Sequence, residues 1–108
     1  MKLIWSENAR NSVREVARYI CLEFGEKARQ KFLKEIEQTD ILLRDNPLLG
    51  RIEPLLEDCK EQYRSIVVNR LSKIIYYLNG EVIEIVALWD TRREPLSQVE
   101  EEDKFIER

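Results

Sequence analysis

Apolar and polar residues follow one another from Tyr63 to Arg93 in a pattern that predicts three short antiparallel strands. Asn79-Gly80 lies between two runs rich in β-branched and aromatic residues. This dipeptide is a strong signal for a two-residue hairpin turn, because such turns need residues that tolerate positive φ. With these two residues at the tip, Tyr76 is expected opposite Ile83.

This pairing gives the predicted hairpin one apolar face and one mixed face, since successive side chains of a strand point to opposite sides. The apolar face is expected to be core and consists of Ile74, Tyr76, Ile83, Ile85 and Ala87. The mixed face consists of Lys73, Ile75, Tyr77, Val82, Glu84 and Val86. We expect the mixed face to be half exposed and to carry any chemistry.

The first half of the chain predicts one strand and two amphipathic helices. The strand covers Lys2 to Trp5, and Ser6 is a good N-cap for the helix that follows. Apolar residues spaced by three and four define one buried stripe on this helix, namely Ala9, Val13, Val16, Ala17, Ile20 and Phe24. Gly25 suits its C-terminal end, and a second helix is expected from Glu26 to Asn46-Pro47. Two helices joined by so few residues form an antiparallel hairpin.

Residues 46–62 have no clean periodicity and predict a loop, with a short helical turn from Leu55 to Cys59. The predicted fold class is therefore α+β in the order β-α-α-β-β-β. An antiparallel helical hairpin packs on one face of a small, mostly antiparallel sheet. If Asn69-Arg70 is a two-residue turn, Arg64 lies on the mixed face with Lys73. A β-bulge would move Arg64 to the other face.

Length and composition indicate one folded domain, because 108 residues with 44% hydrophobic and 36% charged side chains can bury a core. No apolar run approaches the ~18 residues of a membrane span, and the N-terminus does not resemble a signal peptide. We therefore expect a cytoplasmic protein. Cys21 and Cys59 are far apart without metal-type spacing, which favours reduced structural thiols.

The sequence has no histidine. This excludes Ser-His-Asp and Cys-His catalysis and most zinc sites, so we expect neither a metal nor a cofactor. Any proton transfer must use Glu, Asp, Lys or Tyr side chains.

Charge is unevenly distributed along the chain. Residues 1–62 carry 11 basic and 12 acidic side chains, residues 63–93 carry 5 and 3, and residues 94–108 carry 2 and 6. The predicted sheet is thus the one net-basic segment of an acidic protein. This distribution permits a phosphate-bearing partner without requiring one, because the net charge of the whole protein does not favour nucleic acid.

Several local strings, in this order and spacing, resemble the RelE/ParE superfamily of toxins from bacterial type II toxin–antitoxin modules. They are Leu3-Ile4-Trp5-Ser6, Asn46-Pro47-Leu48-Leu49-Gly50-Arg51, Arg64-Ser65-Ile66-Val67, Lys73-Ile74-Ile75-Tyr76 and Ile83-Glu84-Ile85-Val86-Ala87-Leu88-Trp89-Asp90-Thr91-Arg92. The second string is similar to the family's Pro-x-x-Gly-Arg turn. The resemblance implies a toxin domain over residues 1–95, followed by an acidic C-terminal tail over residues 96–108.

Such a toxin, of the plasmid stabilisation type, inhibits growth when free and is neutralised by a cognate antitoxin protein. RelE-like members cleave mRNA in the ribosomal A site with Lys, Arg and Tyr side chains. ParE-like members act on DNA gyrase and have no established reaction of their own. A third possibility is a degenerate toxin fold kept as a binding or regulatory module.

The resemblance transfers basic functional positions to Arg64, Lys73 and Arg92, and with Tyr77 these are the candidate catalytic residues. Cations can stabilise the pentavalent phosphorane of RNA cleavage, and a lysine or tyrosine can move protons. Candidate binding residues are Arg93, Asp90 and Trp89. Two departures count against mRNA cleavage. The loop before the second strand is acidic where ribonuclease members are rich in lysine, and Asp90 stands where many relatives have histidine.

Each candidate also has a structural interpretation. Lys73 and Glu84 can form a surface ion pair across the hairpin. Arg92 and Arg93 beside Asp90 can brace the end of the sheet. Tyr76 is expected in the core, and Trp5 and Trp89 are expected in the core or in contact with the antitoxin.

Overall fold

A computed structural model describes residues 1–69 and 71–91 of the chain. Two helices lie on one face of a five-stranded sheet. The elements in order are β1 (Lys2–Trp5), α1 (Glu7–Phe24), α2 (Glu26–Asp45), β2 (Arg51–Ile52), a 3₁₀ turn (Pro54–Leu56), β3 (Arg64–Asn69), β4 (Ser72–Asn79) and β5 (Val82–Asp90). The predicted roles of Arg92 and Arg93 and the acidic tail of residues 96–108 lie outside the described residues.

Local signals define both helices, which confirms the predicted helical hairpin. The side chain of Ser6 accepts a hydrogen bond from the Ala9 backbone N–H at 3.0 Å. Gly25, with a φ of 95°, ends α1 and donates its N–H to the Cys21 carbonyl at 2.9 Å. In α2 the helical backbone stops at Asp45, two residues before Pro47. No helix in the described part of the chain is long and apolar enough to cross a membrane.

The strand order is β1-β5-β4-β3-β2, with β1 parallel to β5 and the other neighbours antiparallel. The prediction of an unstructured loop over residues 46–62 is wrong at β2, where Arg51 lies opposite Ser65 and Ile52 opposite Arg64. A strand of two residues is too short to show a period. Because β2 ends there, β3 from Ile66 onward has no described strand on its outer side.

The predicted register of the β4–β5 hairpin is also wrong. Asn79 lies opposite Val82, so Gly80 and Glu81 form the turn instead of Asn79 and Gly80. Gly80 has a φ of 62° and no described non-glycine residue has a positive φ. Glycine at the first central position is typical of a type II′ turn. Tyr76 therefore pairs with Ile85, two positions beyond the predicted Ile83, and keeps its face.

A β-bulge changes the face of residues at the end of β5. Tyr76 pairs with Ile85, whereas its neighbour Ile75 pairs with Ala87, so Val86 is the extra residue. Ala87 was expected on the face covered by the helices. It packs instead on the opposite face, in the same cluster as Trp89.

Each face of the sheet carries a buried apolar cluster. The first core lies between the helices and the sheet and includes Ala9, Ala17, Phe32, Ile36, Leu43, Ile74, Tyr76, Ile83, Ile85 and Leu88. The second includes Leu56, Tyr63, Ile75, Val86, Ala87 and Trp89. Residues 53–63, which we call the strap, supply Leu56 and Tyr63 to this second core. On the predicted mixed face Lys73, Tyr77, Val82 and Glu84 are half-buried, as expected. Ile75 is fully buried and Val86 is 5% exposed, so these two belong to the second core. The helical turn of the strap lies at Pro54–Leu56, slightly earlier than predicted.

Candidate functional site

Lys73 lies on β4 opposite Val67 on one side and Trp89 on the other. Its Nζ atom forms an ion pair with the carboxylate of Glu53 and sits 5.2 Å from the centre of the Trp89 ring. The side chain of Lys73 is 16% exposed and that of Glu53 is 0% exposed. The ammonium group is thus neutralised by a buried carboxylate beneath the strap.

Glu53 is held at the start of the strap by its backbone. Its N–H donates to the Tyr63 carbonyl at 2.9 Å, and its carbonyl accepts from the Leu56 N–H at 3.1 Å. The hydroxyl of Ser65 lies 3.5 Å from the second carboxylate oxygen. The prediction that Lys73 pairs with Glu84 is therefore wrong. The sequence did not indicate Glu53 as the partner, because no local pattern connects two residues that are 20 positions apart.

Tyr77 forms a hydrogen bond with Glu84, the residue that the sequence predicts as the ion-pair partner of Lys73. Its hydroxyl donates to Glu84 at 2.7 Å, and the side-chain amide of Asn79 donates to the same oxygen at 2.9 Å. The hydrogen bond to Glu84, followed by burial, raises the pKa of Tyr77 to about 12. The ring also meets Tyr63 edge to face, with centroids 5.5 Å apart. A phenol with this pKa is a poor proton donor near neutral pH and is not ionised there.

Arg64 does not share a face with Lys73. A bulge in β3, between Val67 and Asn69, places Arg64 opposite Tyr76 on the helix-covered side of the sheet. Its guanidinium donates to the Gly50 carbonyl at 2.8 Å. The prediction of one surface that carries both Arg64 and Lys73 is therefore wrong.

Tyr76 is buried in the first core, as predicted. Its hydroxyl donates to the Pro47 carbonyl and accepts from the Gly50 N–H, both at 2.8 Å. Desolvation raises the pKa of this phenol. The turn that resembles the family's Pro-x-x-Gly-Arg string is thereby attached to the middle of the sheet.

A groove of about 330 Å³ lies between α1 and the β3–β4 turn. Its lining residues are Glu15, Val16, Tyr19, Ile20 and Phe24 on the helix, and Asn69, Leu71, Ser72 and Asp90 on the sheet. Tyr19 is 46% exposed and Phe24 is 67% exposed, so the groove presents aromatic surface to solvent. Among the predicted binding residues, Asp90 lines this groove, whereas Trp89 belongs to the second core.

The sequence matches a family model described as the ParE toxin of the type II toxin–antitoxin system parDE, over residues 3–95. The chain therefore belongs to the ParE toxin family, which confirms the resemblance to RelE/ParE toxins. It is a toxin of a type II toxin–antitoxin module, and the family implies an antitoxin partner. No curated protein sequence matches it.

Three solved structures share the fold. A chain of the chromosomal ParDE system from P. aeruginosa has a TM-score of 0.69 and 16% identity, over 83% of this chain and 95% of that one. A YoeB/ParE toxin from Agrobacterium tumefaciens has a TM-score of 0.56 and 18% identity, over 83% and 98%. A YoeB dimer from Staphylococcus aureus has a TM-score of 0.54 and 20% identity, over 81% and 92%. At these identities the likeness shows the fold alone.

Proposed function

We propose that this toxin inhibits DNA gyrase by binding to it and does not cleave mRNA on the ribosome. The observation that carries the proposal is the ion pair between Lys73 and Glu53 beneath the strap. RNA cleavage needs cations that reach the phosphorane and side chains that transfer protons. Lys73 is paired with a buried carboxylate, and the Tyr77 hydroxyl donates a hydrogen bond to Glu84. Neither group is placed for that chemistry.

The position of Arg64 supports the same conclusion. It lies on the opposite face from Lys73, where its guanidinium holds the Gly50 carbonyl. A catalytic set that includes both Arg64 and Lys73 would thus have to act from two sides of one sheet. These catalytic roles stay predictions, as do the binding roles of Arg93, Asp90 and Trp89. Either target would require the toxin in the cytoplasm.

Two assays on one preparation test the proposal. Purified chain is added to gyrase with relaxed plasmid, and separately to a translating extract whose mRNA ends are mapped. We expect blocked supercoiling and unchanged mRNA ends. New mRNA cuts that vanish in the double variant Glu53→Gln/Lys73→Met, but persist in the control Lys60→Met, would overturn the proposal. Failure in both assays, with normal growth on induction without antitoxin, would identify a degenerate module.

We also propose the groove between α1 and the β3–β4 turn as the docking site of the antitoxin. Its exposed aromatic side chains, Tyr19 and Phe24, suit the apolar stripe of an amphipathic helix. The carboxylate of Glu15, which also lines the groove, favours a basic residue beside that stripe.

A further inference from the structure

Three lysines form a row along an exposed face of α2. Lys27, Lys31 and Lys34 are spaced by four and three residues, so their side chains lie one above another. All three are exposed, and they line a shallow groove together with Gln30 and Glu37. Residues 27–34 contain four basic side chains and no acidic one.

The row forms no ion pair within the described part of the chain, although Glu37 lines the same groove. The ion pairs of residues 1–69 and 71–91 are Glu26–Arg29 and Glu53–Lys73, and neither involves the row. Like charges one turn apart destabilise a helix slightly, so an anionic partner along this face would stabilise α2. The structure thus presents a positive strip on a protein whose net charge is −3.

The same chain contains a matching block of negative charge. Residues 100–103 are four consecutive acidic side chains, Glu100, Glu101, Glu102 and Asp103. The described chain ends at Thr91, whose N–H donates to the Leu71 carbonyl at 2.9 Å.

The path from that end to the row is short. Asp90 lines the same groove as Phe24, and Phe24 precedes Lys27 by three residues. The nine residues from position 92 to position 100 span up to about 30 Å when extended. Within α2, Lys34 lies about 12 Å along the helix axis from Glu26, so the acidic block is long enough to reach the whole row.

We propose that the acidic block of residues 100–103 binds the lysine row of its own chain and covers this face of α2. The contact is ionic, so salt weakens it and any polyanionic partner of the helical hairpin competes with it. It does not depend on whether gyrase is the target.

Zero-length carbodiimide cross-linking of the full chain at low salt, with peptides identified by mass spectrometry, tests the contact. Three exposed ion pairs together favour the bound state of the acidic block over the unbound state by about tenfold. We therefore expect the yield of cross-links between the row and residues 100–103 to exceed the yield from the exposed lysines Lys2 and Lys60 by about tenfold. The excess should disappear at high salt. Equal yields at the control lysines would overturn the proposal. Links found only in cross-linked dimers would assign the row to a second copy and would also overturn it.

A charge swap provides the matched control. The triple variant Lys27→Glu/Lys31→Glu/Lys34→Glu should lose the contact. Adding Glu100→Lys/Glu101→Lys/Glu102→Lys should restore it, with links that again join positions 100–102 to the row. Helix content measured by circular dichroism confirms that each variant is folded. Failure of the sixfold variant to recover the links would show that charge pairing does not place the segment.

Discussion

The hydroxyl of Tyr76 accepts a hydrogen bond from the backbone N–H of Gly50 at 2.8 Å, across 26 positions of sequence. The same hydroxyl donates to Pro47, and Arg64 holds the Gly50 carbonyl. A side chain at position 50 would place its Cβ 2.7 Å from Tyr76 and 2.8 Å from the Ser65 carbonyl. The glycine of the family-like turn is therefore required by the close approach of a tyrosine and a backbone carbonyl.

The variant Gly50→Ala should lower the free energy of unfolding by about 2 kcal/mol, because the new methyl group overpacks the contact with Tyr76. Urea denaturation measures this loss. Gly25→Ala isolates strain from packing, since a Cβ at Gly25 meets no atom within 4 Å. Its backbone (φ 95°, ψ 173°) lies in a region that is essentially restricted to glycine, so this variant should cost about 1 to 3 kcal/mol through strain alone. Unchanged stability of Gly50→Ala would contradict the packing explanation.

The Glu53–Lys73 pair should show strong coupling in a double-mutant cycle. Lys73→Met leaves a buried carboxylate without its counter-charge and should cost about 3 kcal/mol of unfolding free energy. Glu53→Gln should cost less, since Lys73 retains 16% exposure and can reach water. The double variant should lie within about 1 kcal/mol of the wild type, because no charge is then buried.

The exposed pair Glu26–Arg29 is the control for this cycle. Its side chains are 52% and 36% exposed, so its removal should change unfolding little. Additive losses at Glu53 and Lys73, each as small as those of this control, would show that the strap does not depend on the buried pair.

Tyr77 should titrate in the alkaline range. Its pKa is raised from the ordinary 10.0 to about 12 by the hydrogen bond to Glu84. The unfolded chain therefore loses this proton first as the pH rises. The stabilisation is full below about pH 10 and is lost as the pH rises towards 12.

Ultraviolet titration of phenolate absorbance checks this shift. Glu84→Gln should move one tyrosine transition down towards pH 10, and Tyr77→Phe should abolish that transition. An unchanged titration curve in Glu84→Gln would assign the high pKa to another cause.

If the antitoxin binds in the proposed groove, Phe24 is an anchor residue of the interface. Phe24→Ala should weaken binding of the purified cognate antitoxin by at least about tenfold, because truncation of an aromatic anchor typically costs more than 1 kcal/mol. It should barely change stability, since Phe24 is 67% exposed. Leu48→Ala is the matched control, because Leu48 is 64% exposed and does not line the groove. Isothermal titration calorimetry measures the affinity of each variant for the antitoxin. Equal losses of affinity in both variants would show that the groove is not part of the interface.

The helices were predictable because their signals are local. Ser6 and Gly25 act on backbone groups within one helical turn, and Pro47 ends a helix from two residues away. The sheet faces were only partly predictable. A bulge at Val86 leaves no mark in the apolar pattern, yet it moves Trp89 to the second core.

The candidate site was the least predictable part. The acidic partner of Lys73 comes from a segment that holds four acidic residues, Glu53, Glu57, Asp58 and Glu61, without periodicity. Which of them turns inward depends on β2, since that strand aligns the start of the strap beside β3. Pairings between distant segments of this kind are decided by packing, which a single sequence does not display.

The shortness of β2 has a consequence for the free toxin. Beyond Ser65, the outer border of β3 runs through Ile66, Val67 and Val68 without a charge, and Val67 is 62% exposed. The described residues supply no strand to pair with this border, and backbone donors and acceptors on such a border recruit strands from other molecules. We therefore expect the purified toxin to self-associate through this border at high protein concentration.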